Sequence, residues 1–127
     1  MKPWPIYEAH VDGHAPALYC ERTRDKARYA AFQEYRSNHW RCTFDDWLHM
    51  ARLVRAESLP ADPYGYIRDQ YRVLVWIGDR VTFQDEPGLA GQYGVVIYPG
   101  AHASLVRVAL PTGRAVRVHP LSIVRAA

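Results

Sequence analysis

From Pro87 to the end of the chain the only charged or titrating bases are Arg107, Arg114, Arg117, Arg125, His102 and His119, and there is no Asp or Glu. A guanidinium offers a planar fork of N–H donors that matches two oxygens of a phosphate or carboxylate. Tyr93 and Tyr98 bracket a glycine-containing stretch in the same region. An exposed ring beside an arginine gives an unpaired base a face to stack on while the guanidinium neutralises the backbone. Residues 1–70 hold ten Lys/Arg and ten Asp/Glu, whereas residues 71–127 hold six arginines against Asp79, Asp85 and Glu86, so the whole excess of +3 lies in the second part. A one-signed region of this size attracts anionic partners. With about four to six phosphate contacts, affinity would be modest and would fall steeply with salt.

Other residue types with chemical potential are arranged less tellingly. His39, Cys42 and His49 are zinc-type ligands, but two residues separate the first pair and six the second, which matches no closed zinc site. Glu8 and His10 share one face of a predicted strand and His14 follows, which places an acid and a base together without a nucleophile. Asp45 and Asp46 fall in the first turn of a predicted helix, where dipole and cap account for them. No phosphate loop or paired-carboxylate motif is present. The reading is a non-enzymatic binding protein with no metal or cofactor. Cys20 and Cys42 are too few for a disulfide scaffold and suit a reduced, cytoplasmic protein. The opening MKPWPIYEAH, broken by two prolines, is unlike a signal peptide, and no apolar run suggests a membrane partner.

The elements that must position these groups change character midway. IYEAHV, a DGH turn and the return from Ala17 to Glu21 predict a hairpin. Thr23 as N-cap, with Asp25 in the first turn, predicts a helix whose stripe is Ala27, Ala31 and Tyr35, with Phe32 beside it. Thr43 and Asp46 have capping-box spacing, and Phe44, Trp47, Leu48, Ala51 and Val54 predict one amphipathic helix running through TFDDWLHMARLVRAE. Residues 1–57 thus read as a ββαα unit. Residues 58–70, with two prolines and a glycine, read as a linker in which Tyr64 and Tyr66 either pack or meet a partner. Residues 71–127 show period-two alternation in YRVLVWIGDRVTF, GQYGVVIYPG, SLVRVALPTG and RAVRVHP, which predicts five short strands and a small closed barrel.

Four segments, GDRV (78–81), PGLAGQYGVV (87–96), LVRVAL (105–110) and GRAVRVHPLSIV (113–124), resemble the KOW motif of an SH3-like barrel, as at the end of NusG-type transcription factors and in ribosomal proteins. The resemblance spans about residues 76–126. It implies an α+β protein in which the hairpin and two helices pack on a small SH3-like barrel. It also implies that Gly91 and Gly94 either take positive φ or let a neighbour come close. Such barrels bind RNA, DNA or the proteins of transcription and translation complexes. The binding residues expected are Arg107, Arg114, Arg117 and Arg125, with Tyr93, Tyr98, His102 and His119 around them. The first part is similar to short proteins of bacteria and their phages. That makes a second reading available: an accessory or inhibitory protein of a mobile element that docks on a host protein, with Tyr64 and Tyr66 at the contact.

Overall fold

The computed structural model describes residues 2–56, 62–100 and 104–126, and the chain forms two compact units, Pro5–Leu59 and Pro60–Ala127 with Met1–Trp4. Among these described residues the fold is α+β, with three helices and two antiparallel sheets.

In the first unit, strands β1 (Ile6–Val11) and β2 (Ala17–Cys20) form the expected hairpin, with Gly13 at φ +81° in its turn. Helix α1 (Arg24–Arg36) starts where Thr23 accepts the Lys26 amide. Its Ala27, Ala31 and Phe32 are buried against Tyr7 and Ala9 of β1. Helix α2 (Phe44–Met50) opens on a complete capping box between Thr43 and Asp46 and buries Trp47.

The long second helix does not form as predicted. At Ala51 the backbone turns extended (φ −110°, ψ 146°) and Ala51–Arg55 becomes strand β3, paired with β1 over five register positions. β1 is therefore the central strand, in the order β2-β1-β3. ARLVR satisfies period two as well as a helical stripe. Pairing it with β1 satisfies backbone groups that a bare edge would leave open, and Leu53 still reaches the core.

The second unit also departs from the linker reading. Asp62 accepts the Tyr64 amide, and Gly65–Tyr71 form helix α3, whose Ile67 is fully buried. Tyr64 itself is fully buried in the core with Val75, Val81, Val96 and Val108. Strands β4 (Arg80–Phe83), β5 (Tyr93–Ile97), β6 (Val106–Ala109), β7 (Ala115–Val118) and β8 (Ile123–Arg125) form one sheet in the order β7-β6-β5-β4-β8. Only the end of the first predicted strand joins this ladder. Val73, Val75 and Ile77 still pack on the core. A 3-10 turn, Pro120–Ser122, leads into β8. The closed barrel expected from the alternation is not observed: among the described residues no pairing joins β7 to β8, so the sheet stays open.

The glycines behave as two kinds. Gly88 and Gly91 adopt φ of +82° and +77° in the turns before β5. Gly94 has ordinary backbone, but a Cβ there would lie 2.4 Å from Val108 Cγ1 and 2.7 Å from the Ala109 carbonyl oxygen. The first two are needed for conformation and the third for close approach of β5 to β6.

Candidate functional site

Side chains at paired positions share a sheet face, and faces alternate along each strand. Val81, Val96, Val106, Val108 and Val118 point into the core. The register therefore puts Arg80, Tyr93, Arg107 and Arg117 together on the opposite, outer face. The other strand residues on that face are Thr82, Val95, Ile97, Ala109, Ala115 and Val124, none of them acidic. Val95, Ile97 and Ala109 at its centre are buried, so the face is open at its margins, where Arg80, Thr82, Tyr93 and Arg117 are exposed and Arg107 is half-buried.

Arg107 and Arg117 are direct cross-strand partners. Like charges in that position oppose pairing. Arg117 donates to the Pro99 carbonyl at 2.6 Å, and the Arg107 guanidinium lies 5.8 Å from the centre of the Trp4 ring. These contacts orient both groups. Arg80 lies 5.3 Å from the ring centre of Tyr93, which is 44% exposed. Arg114 sits at the β6–β7 turn and, with Arg117, lines a groove of about 460 Å³ facing the β4–β5 loop; Glu86, Gln92 and Thr112 share it.

Several predicted residues are placed elsewhere. Arg125 pairs with Val81 and so lies on the core side at the far edge of the sheet. Its Nε is 3.6 Å from Asp79 Oδ2 and its guanidinium 5.8 Å from the ring centre of Trp76. It is engaged with an acid and does not join the other arginines. Tyr98 is half-buried just beyond β5. His119 caps the 3-10 turn by accepting the Leu121 amide, and its ring meets Tyr71 edge-on. His102 lies outside the described residues. Tyr64 is wholly buried and presents nothing to a partner, because its hydroxyl is needed inside the sheet. Tyr66 is 65% exposed. Sequence reasoning passed over Arg80, although GDRV leading into a strand places Arg80 opposite Val81 in the alternation.

The first unit holds a pocket of about 200 Å³ between the β1–β2 hairpin and the C-terminal half of α1. It exists because Ala9, Ala17 and Ala31 put methyl groups where larger side chains would fill the space. Its walls are ring-rich: Tyr35 stacks on His39 at 4.2 Å, and His14 meets both rings edge-on at 5.6 and 5.7 Å. Trp47 also lines it, and among the described residues its Nε1 is the buried side-chain polar atom without a hydrogen-bond partner. An orphaned buried donor costs on the order of 1–3 kcal/mol. Tyr19 donates to Glu34 at the same pocket; burial first, and that carboxylate second, push its pKa well above the ordinary tyrosine value.

Glu8 and His10 do meet, at 2.6 Å, on the face of the three-stranded sheet away from α1. Cys42 donates to the Thr43 carbonyl and His49 Nδ1 contacts the Asp45 carbonyl oxygen at 2.7 Å. Cys20 and Cys42 are thiols, not a disulfide. Among the described residues no group of three His, Cys, Asp or Glu side chains is gathered as a metal site, and no helix is long and apolar enough to cross a membrane. No family model, no curated protein and no solved structure matches the chain.

Proposed function

We propose that the protein binds single-stranded nucleic acid, free or within a nucleoprotein complex, through the outer face of the five-stranded sheet. The observation that supports this best is the register that sets Arg80, Arg107 and Arg117 on one face with Tyr93 and with no carboxylate among its strand residues. Phosphates meet the guanidinium groups and a base stacks on Tyr93. The return of β8 to the side of β4 and the glycine positions support reading the unit as an SH3-like sheet of KOW type, left open at β7. The role is binding, not catalysis. The test is a fluorescence-anisotropy titration of a labelled single strand at low and high salt. Saturable binding that weakens with salt supports the reading, and a flat curve at low salt removes it.

One observation favours docking on a protein instead: Tyr66 and Leu74 are 65% and 62% exposed on the same unit. Co-purification with and without nuclease separates the two, since a protein contact survives digestion.

A further inference from the structure

We infer that the side of β7 away from β6 takes an extended peptide as a further strand, with apolar residues turned into the adjoining groove and acidic residues turned out beside Arg117. This site lies along an edge of the sheet and does not require the outer face to bind nucleic acid.

The phase of the β6–β7 ladder fixes which backbone groups reach that edge. Gly113, at φ +90°, donates to the Leu110 carbonyl, and the Leu110 amide donates to the Arg114 carbonyl at 2.8 Å. Leu110 and Arg114 therefore close the hairpin as a hydrogen-bonded pair. Pairs alternate from there, so Val108–Val116 and Val106–Val118 bond across the ladder while Ala109–Ala115 and Arg107–Arg117 do not. The N–H and C=O of residues 115 and 117 consequently point away from β6, with the spacing a further strand requires. Among the described residues no strand pairs with β7 on that side. The groove of about 460 Å³ lies beside it, walled by Val116 and Val118 and by Leu89 of the β4–β5 loop. Both valines are on the core side of the sheet. Every second side chain of an added strand therefore enters the groove, and the others lie level with Ala115 and Arg117 on the outer face. Charge decides the pattern. The β6–β7 hairpin carries Arg107, Arg114 and Arg117 and no acid, so a carboxylate opposite Arg117 makes an attractive cross-strand pair. Glu86 lines the groove and opposes an acid turned inward, where Leu89 and the valines favour apolar side chains. A second copy of this edge would bring its own Arg114 and Arg117 against these, which opposes pairing. A phosphodiester backbone offers acceptors but no donors for the outward carbonyls.

The experiment follows backbone amide resonances of ¹⁵N-labelled full-length protein during titration with octapeptides that alternate valine, leucine or phenylalanine with glutamate, serine or lysine, each to about 1 mM. The expected result is a saturable shift of the Ala115 and Arg117 amides with at least one glutamate peptide. Its serine counterpart should bind up to about fivefold more weakly, and its lysine counterpart should not bind. Arg117→Gln should bring the glutamate and serine peptides to equal affinity. Methylating the backbone nitrogens of one alternate set of peptide residues should abolish the shift, and methylating the other set should not, because one set faces β7. Ala115→Pro removes an outward N–H without touching the ladder to β6 and should weaken binding about tenfold. Circular dichroism verifies its fold, and the methylated peptides test the same bonds on wild-type protein. No shift with any peptide, serine or lysine peptides that bind as well as glutamate ones, or affinity indifferent to methylation of either set overturns the inference. A dimer in sedimentation that Ala115→Pro dissolves identifies the occupant as a second copy and also overturns it. So does a mixed-sequence single strand that shifts the Ala115 amide more strongly than any peptide does.

Discussion

The hydroxyl of Tyr64 donates to the carbonyl of Ile97 at 2.6 Å, across 33 positions of chain. The same oxygen accepts the Arg107 amide at 3.2 Å, and Ile97 and Arg107 are register partners at the end of the β5–β6 ladder. The phenol thus bridges two backbone groups of neighbouring strands and ties α3 to the sheet. Tyr64→Phe keeps the ring but strands a buried carbonyl. We expect it to lower stability by about 1–3 kcal/mol, read from urea unfolding, whereas Tyr66→Phe, at an exposed position, should be neutral.

That bridge shows where sequence reading stops. DPYGYIRDQY looks like a linker because Pro63 and Gly65 are turn residues, yet Pro63 precedes the helix and Gly65 is its first residue, where neither interrupts an intrahelical bond. The spacing of Tyr64 and Ile67 was a helical signal, outweighed by the breakers around it. The Thr23 cap, the α1 stripe, the Thr43–Asp46 box and the later strands were legible because local chemistry alone decides them. The helix-to-strand switch at Ala51 was not, since a partner strand forty residues earlier decides it. On the outer sheet face Arg107 and Arg117 could be paired from alternation. That Arg125 belongs to the other side follows only from which residue of β4 it faces.

Gly94 and Gly91 should respond differently to alanine. At Gly94 the added Cβ collides with Val108 and with the backbone of Ala109, so β5 and β6 must separate. A loss of about 1–3 kcal/mol is expected from overpacking. Gly91→Ala meets no neighbour and suffers only its positive φ, about 1–2 kcal/mol. Gly91→Asn should recover part of that, as asparagine tolerates the left-handed region; equal recovery by Gly94→Asn would contradict the distinction. Thermal unfolding of the four variants checks it.

The cap of α2 carries an acid-side dependence. The Thr43 backbone N–H donates to the Asp46 carboxylate at 3.2 Å, which holds that carboxyl below the usual range. Because the folded value is lowered, the stabilisation is complete above the unfolded value of about 3.9 and is lost as pH falls through the folded one. Thr43→Ala should cost about 1 kcal/mol at neutral pH. Asp46→Asn should flatten the acid limb of the stability curve.

Tyr19 gives the opposite dependence. Its folded pKa is raised, chiefly by burial and then by Glu34. Stability from this group is therefore full below the unfolded tyrosine value of about 10 and falls as pH rises above it. Tyr19→Phe should remove that alkaline loss, measured as Tm between neutral and strongly basic pH.

The most direct measurement of the sheet-face account is anisotropy of a labelled single strand against wild type, Arg125→Gln and the triple variant Arg80→Gln, Arg107→Gln, Arg117→Gln, each first verified as folded by circular dichroism. Three phosphate contacts imply a log–log salt slope of about −2 for wild type. Arg125→Gln should match it, and the triple variant should lose both the slope and the binding. A triple variant that binds as wild type does, with the same slope, would contradict the account.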